Sequence, residues 1–218
     1  MTEHQFTPWP KTARLFRDIT VTEKIDGTNS AIRISAVPDG TTPSGFMDML
    51  ASYPAESYTA VVDGTRYVVS AQSRRRLIWP GKSTDNYGFA SWVYDNAEAL
   101  VRLLGEGLHY GEWWGQGIQR NYGLTDRRFS LFNTDRHGHL SGAAGVDVGG
   151  ILVSSVPIIY QGTFREDAIT VALKDLRDCG SMAAPGFATP EGICVFHSAS
   201  RTVYKVTLDN NDVGKWEA

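Results

Sequence analysis

The 218-residue chain has a formal net charge of −3, with 42% hydrophobic and 21% charged residues. That is the balance of a globular protein long enough for one well-cored domain. No apolar run approaches the ~20 residues of a membrane-spanning helix, and Met1-Thr2-Glu3-His4-Gln5 lacks the basic-then-apolar order of a secretory signal.

Residues 19–25 and 30–36 alternate or run apolar with β-branched content, as strands do. Gly27-Thr28-Asn29 between them reads as a tight connection. Residues 37–58 are rich in Pro, Gly, Ser and Thr and read as an irregular insertion. Val61-Val62-Asp63-Gly64-Thr65 before Tyr67-Val68-Val69 signals a hairpin, because Asp-Gly tolerates the positive φ of a type I′ turn. A helix is predicted from about Gly88 to Leu104, with Trp92, Val93, Ala97, Leu100, Val101 and Leu104 near one face and Gly105 as its stop. Residues 107–114 and 129–133 read as strands, and 134–149 as loop. His137-Gly138-His139 lies in that loop, with no cysteine, histidine or carboxylate cluster near it in sequence to complete a metal site. A second helix is predicted from about Phe164 to Arg177, opened by a Thr163/Glu166 capping box and ended by Gly180. Strands at 192–197 and 202–208 close the chain. Cys179 and Cys194 have no metal-ligand spacing and read as reduced thiols of a cytoplasmic protein. Short strands with two long helices and no internal repeat predict one α+β domain over residues 1–218, built on antiparallel sheets.

The basic residues are unevenly spread. Arg74, Arg75 and Arg76 are consecutive and Lys82 follows, while Arg120, Arg127 and Arg128 gather later. This allows a local basic groove on an acidic body; for the second cluster, solvated loop charges explain the pattern equally well.

Thr22-Glu23-Lys24-Ile25-Asp26-Gly27-Thr28-Asn29-Ser30 places a lysine at a strand end, beside a carboxylate and ahead of a glycine turn. A lysine attacks phosphorus only as the neutral amine, a state favoured by a second cation, a metal ion or partial burial. Gly27 would let backbone approach a ligand closely. Alone, the pattern also fits a surface Lys-Asp pair in a β-turn. Five further segments follow in order: Ser73-Arg74-Arg75-Arg76-Leu77-Ile78, Tyr110-Gly111-Glu112-Trp113-Trp114-Gly115, Phe129-Ser130-Leu131-Phe132-Asn133, Pro190-Glu191-Gly192-Ile193-Cys194-Val195 and Val203-Tyr204-Lys205-Val206.

Together the six segments resemble the motifs of the covalent nucleotidyltransferase superfamily, most closely those of the bacteriophage RNA ligase 2 family, across residues 22–207. The resemblance implies a ligase adenylation domain, ATP-grasp-like, with two antiparallel sheets flanking a nucleotide cleft and helices outside. It implies that Lys24 is adenylylated, that Arg74 contacts the nucleotide sugar and Glu112 the ribose, and that Phe132, with Phe129 second, stacks on the base. Glu191 would help hold a catalytic Mg²⁺ or Mn²⁺, and Lys205 would contact the α-phosphate. Catalysis is thus expected from Lys24, Lys205 and Glu191. Nucleotide contacts are expected from Glu23, Lys24, Ile25, Asp26, Gly27, Asn29, Arg74, Glu112, Phe132, Glu191 and Lys205.

The implied activity is that of an ATP-dependent RNA ligase acting on nucleic-acid ends, RNA before DNA, in the host-cell cytoplasm if phage-encoded. Two departures stand out. Val203 and Thr207 occupy the positions where the last motif usually has a second lysine, and no C-terminal OB or RNA-binding domain is expected after Lys205. A partner protein could supply end binding. The alternatives are a catalytically impaired nucleotide-binding module, or a DNA ligase or guanylyltransferase-type enzyme of the same superfamily.

Overall fold

The computed structural model describes residues 6–38, 40–42, 45 and 58–209. Its strands form two sheets. The smaller contains β1 (Asp18–Lys24), β10 (Ile158–Thr163), β11 (Gly192–His197) and β12 (Thr202–Thr207), in the order β10-β1-β11-β12 and antiparallel throughout. The larger contains β2 (Thr28–Ala36), β3 (Tyr58–Val62), β4 (Thr65–Ser73), β6 (Gly107–Gly115), β7 (Arg127–Leu131), β8 (Val146–Val148) and β9 (Ile151–Ser155). Its order is β3-β4-β2-β6-β7-β9-β8, and β5 (Leu77–Ile78) pairs with β4. Among the described residues no helix is long and apolar enough to cross a membrane.

Each sheet is covered by helix on one face. Ile19 and Val21 of β1 and Ile193 and Val195 of β11 bury against Ala172 and Leu176 of α4 (Glu166–Cys179). Ile32, Ile34, Val69, Ala71, Trp113, Phe129 and Leu131 of the larger sheet bury against α1 (Phe89–Asp95) and α2 (Ala97–Leu104). In that core Trp92 and Trp113 stack with ring centroids 5.3 Å apart. Ile25, Trp114, Tyr122, Val156 and Ala184 make a third apolar cluster where the chain crosses between sheets, at 25–27 and 156–157.

The α+β class and the two sheets match expectation, with differences that have physical causes. The helix predicted over 88–104 is two helices, parted at Asn96, whose side-chain amide donates to Trp92 O at 2.8 Å. All six residues of its predicted apolar face are buried. The capping box at Thr163 does not form: Thr163 ends β10, and α4 begins after Arg165 with no side-chain cap. Residues 134–149 are not plain loop but hold α3 (Thr134–His137), two 3-10 turns and β8. That crossover lets β7 and β9 pair in parallel, while the other strand pairs of the larger sheet among the described residues are antiparallel. Most of the insertion read over 37–58 lies outside the described residues.

Candidate active site

Lys24 is the last residue of β1, in register with Gly192. Strand alternation turns Ile19, Val21 and Glu23 toward α4, and Thr20, Thr22 and Lys24 toward the opposite face. Thr22 pairs with Cys194, and Cys194 with Lys205, so Lys205 shares that face with Lys24. The Lys24 side chain is 23% exposed, and its ammonium forms an ion pair with Glu191 Oε2. That oxygen is buried and receives no aligned hydrogen bond, only the ion-pair contact. Gly192 makes the turn into β11 at φ 151°, where a Cβ would lie 2.2 Å from Val206 O, so the Glu191 corner requires glycine.

The turn after Lys24 packs onto β6. Gly27 N donates to Glu112 Oε1 at 3.1 Å. A Cβ on Gly27 would sit 2.5 Å from Trp113 O and 2.7 Å from Trp114 Cβ, which no side chain tolerates. Asp26 N donates to the Tyr122 hydroxyl at 2.8 Å, and the Asp26 carboxylate accepts from Arg120 Nε at 3.0 Å. Asn29 lies in register with Glu112, on the sheet face turned from α1 and α2. Burial pushes the Glu112 carboxyl up to about 8, against the lowering effect of the Lys24 charge and the Gly27 N–H; Glu191 and Asp26 raise it further. These mutual effects put Lys24, Glu112, Glu191 and Asp26 in one electrostatic cluster. Phe132 follows β7 with Tyr110 O accepting from its amide, and is 39% exposed, whereas Phe129 is fully buried in the helical core. Of the two phenylalanines only Phe132 is open to a ligand.

Other expected residues are not brought to this cluster by their side chains. The Glu23 carboxylate turns the other way and is buried, accepting from Ser181 Oγ at 2.6 Å, Met182 N at 2.8 Å and Ala183 N at 2.9 Å. Burial holds its carboxyl above the usual range despite those three bonds. Glu23 thus anchors the loop after α4. Ile25 belongs to the apolar cluster with Trp114 and Tyr122. Arg74 lies in the exposed turn after β4, lining an open pocket of about 380 Å³ with Thr28, Ser73, Arg75, Arg76 and Asn86. Asn86 reaches Thr28 Oγ1 at 3.0 Å and was not singled out by sequence; nor were Arg120 and Tyr122 as partners of Asp26. The local sign of the last two is a kinked loop: Gln119, Asn121 and Tyr122 all take positive φ. His137 is also misplaced by the loop reading, since it is buried with His109, Nε2 to Nδ1 3.2 Å.

Among the described residues no three His, Cys, Asp or Glu side chains converge as a metal cage. Glu191, whose buried Oε2 already faces the Lys24 ammonium, is a single carboxylate of the kind that holds Mg²⁺ together with phosphates and water.

Two solved structures resemble the chain. An apo lysine-to-alanine mutant of a Naegleria gruberi RNA ligase is 15% identical, TM-score 0.49, over 88% of this chain and 49% of that one. An arginine-to-alanine mutant of a Naegleria gruberi RNA ligase with ATP and Mn is 13% identical, TM-score 0.46, over 88% and 50%. The chain therefore spans about half the length of these structures. No curated protein matches the sequence. The sequence profile of the RNA ligase family matches residues 17–211, nearly the whole chain, and the chain belongs to that family.

Proposed function

We propose that this chain is the adenylation domain of an ATP-dependent RNA ligase and that Lys24 carries AMP. The observation behind the reading is one lysine set among Glu191, Glu112 and Asp26 at a strand end, with Lys205 on the same sheet face.

In this reading Lys24 Nζ attacks the α-phosphorus of ATP. The Nζ–P bond forms, the P–O bond to pyrophosphate breaks, and pyrophosphate leaves with the electron pair. Attack requires the neutral amine, and Glu191 is the carboxylate in contact with the proton that must depart. Lys205 offsets charge gathering on the α-phosphate oxygens. Phe132 offers a face for the base, worth on the order of 1–3 kcal/mol, and Glu112 an acceptor for ribose hydroxyls. Mg²⁺ or Mn²⁺, when bound at Glu191, would neutralise phosphate charge. AMP then passes to a 5′-phosphate end, and a 3′-hydroxyl displaces it to form the phosphodiester.

Labelled ATP and GTP, each with Mg²⁺, followed by denaturing electrophoresis, test this reading. A covalent AMP band is expected with wild type and none with Lys24→Ala. A band that persists in the variant places the nucleophile elsewhere; a GMP band points to capping chemistry; no band with either nucleotide favours a binding module.

A further inference from the structure

We infer that Arg120 is a positioning residue for adenylyl transfer, one guanidinium that fastens together the segments bearing Lys24, Glu191 and Lys205. The inference rests on the reading above. The register of the smaller sheet ends at Lys24, Gly192 and Thr207, with one more backbone bond beyond it, from Leu208 N to Glu191 O at 2.9 Å. Arg120 bridges the three segments at that point. Its Nε donates to Asp26 Oδ2 at 3.0 Å, its Nη1 to Thr189 O at 3.1 Å, and its Nη2 to Asp209 Oδ2. Asp26 lies just past Lys24, Thr189 just before Glu191, and Asp209 just past the strand of Lys205. Each guanidinium nitrogen thus takes a different segment.

The side chain is suited to this by shape. A guanidinium is a rigid planar fork with donors in fixed directions, whereas an ammonium is a point charge on a flexible stem. Only a quarter of the Arg120 side chain is exposed, and Asp26 is similarly shielded at 28%, whereas Asp209 is 54% exposed. The loop that presents it is strained for the purpose. Gln119, Asn121 and Tyr122 take φ of 43°, 60° and 51°, a left-handed region costly for glutamine and tyrosine. Asn121 Oδ1 accepting from Gly117 N at 2.7 Å, and the buried Ile118 and Tyr122, hold the loop there. Tyr122 adds a second tie from the same loop to the Asp26 amide.

The test is single-turnover formation of the labelled AMP adduct across ATP concentrations, with wild type, Arg120→Ala, Arg120→Lys and Asp209→Asn. Arg102→Ala, which removes an exposed pair with Asp63, is the control. Misplacement of a reacting group by about an ångström costs roughly a hundredfold in rate. The expectation for Arg120→Ala is that order of loss in the rate constant at saturating ATP, with the apparent Kd for ATP little changed. Millimolar guanidinium should restore part of the rate, which it would not do for a misfolded protein. Arg120→Lys should stay slow, Asp209→Asn should lose less, and Arg102→Ala nothing. Should Arg120→Ala fail to fold, Arg120→Lys and Asp209→Asn carry the comparison. Wild-type rate constants in the Arg120 variants, with only a smaller reactive fraction or lower Tm, overturn the positioning role while leaving the ligase reading intact. No adduct from wild type overturns both.

Discussion

Glu112 is held in a place hostile to its own charge. It sits on β6 against the Gly27 turn, and its Oε1 accepts from Gly27 N at 3.1 Å. Burial raises its carboxyl from 4.5 to about 8, further than the nearby Lys24 charge can pull it back. The consequence for folding has a definite sign. Between about 4.5 and 8 the folded protein keeps a proton that the unfolded chain releases, so this group's support is full below that window and is lost as pH rises through it. Glutamine, a neutral near-isostere, has no such dependence. Thermal unfolding of Glu112→Gln should therefore overlay wild type near pH 4.5 and gain on it up to pH 8, by on the order of a few kcal/mol. Parallel stability curves would mean that Glu112 is well solvated. In the proposed reaction the carboxyl, still protonated near neutral pH, can donate its O–H to one ribose oxygen or accept from a ribose hydroxyl through its carbonyl oxygen.

At the scale of elements, β6 and α3 are joined by a histidine pair. The Gly105 carbonyl can only accept, so His109 Nε2–H donates to it at 2.9 Å, and His109 Nδ1 is left to accept from His137 Nε2–H. Burial lowers His137 to about 4, with smaller contributions from His109, Arg136 and His139, and burial lowers His109 as well. Neutral in the fold and cationic when unfolded, the pair favours folding above pH 6.5 and loses that contribution as pH falls toward 4. His137→Gln should flatten the fall of Tm with acid over this window, and an unchanged slope would assign acid lability to other groups. This contact also shows where the sequence stops being legible. Local patterns were readable: the apolar stripe from Trp92 to Leu104, the Asp63-Gly64 turn with φ of 50° and 82°, and the stops at Gly105 and Gly180. Lys24, Glu112, Glu191 and Lys205 could be singled out as candidates because each lies in a short motif. The Glu23 side chain points away from Lys24, as strand alternation requires of neighbours. Arg120 and Tyr122 meet Asp26 across 94 and 96 residues, far beyond any local window of sequence.

Over the whole molecule, a net charge of −3 argues against a uniformly basic surface, so any grip on polynucleotide must be local. The two arginine clusters separate on this point. Arg120 is spent on Asp26, Thr189 and Asp209. Arg127 bonds the carbonyls of Tyr87 and Gln116, and Arg128 bonds Asp126 and Ala183 O while lying 5.5 Å from the Trp114 ring centroid. These cations are committed internally. Arg74 and Arg75 are exposed, with no side-chain bond among the described residues, and with Arg76 they line the open pocket beside Thr28, where β2 leaves the Gly27 turn. Three adjacent guanidinium groups repel one another and are relieved by an anion; in the proposed ligase reading, backbone phosphates would bind at this turn. Each phosphate neutralised by a cation adds close to one to the slope of log affinity against log salt. Arg75→Ala should therefore weaken binding of a nicked RNA duplex at low salt and reduce that slope by about one. Arg127→Ala should leave the slope as it is, since its guanidinium already serves two carbonyls. An unaltered slope in Arg75→Ala, or an equal change in both variants, would move the polynucleotide path away from this turn.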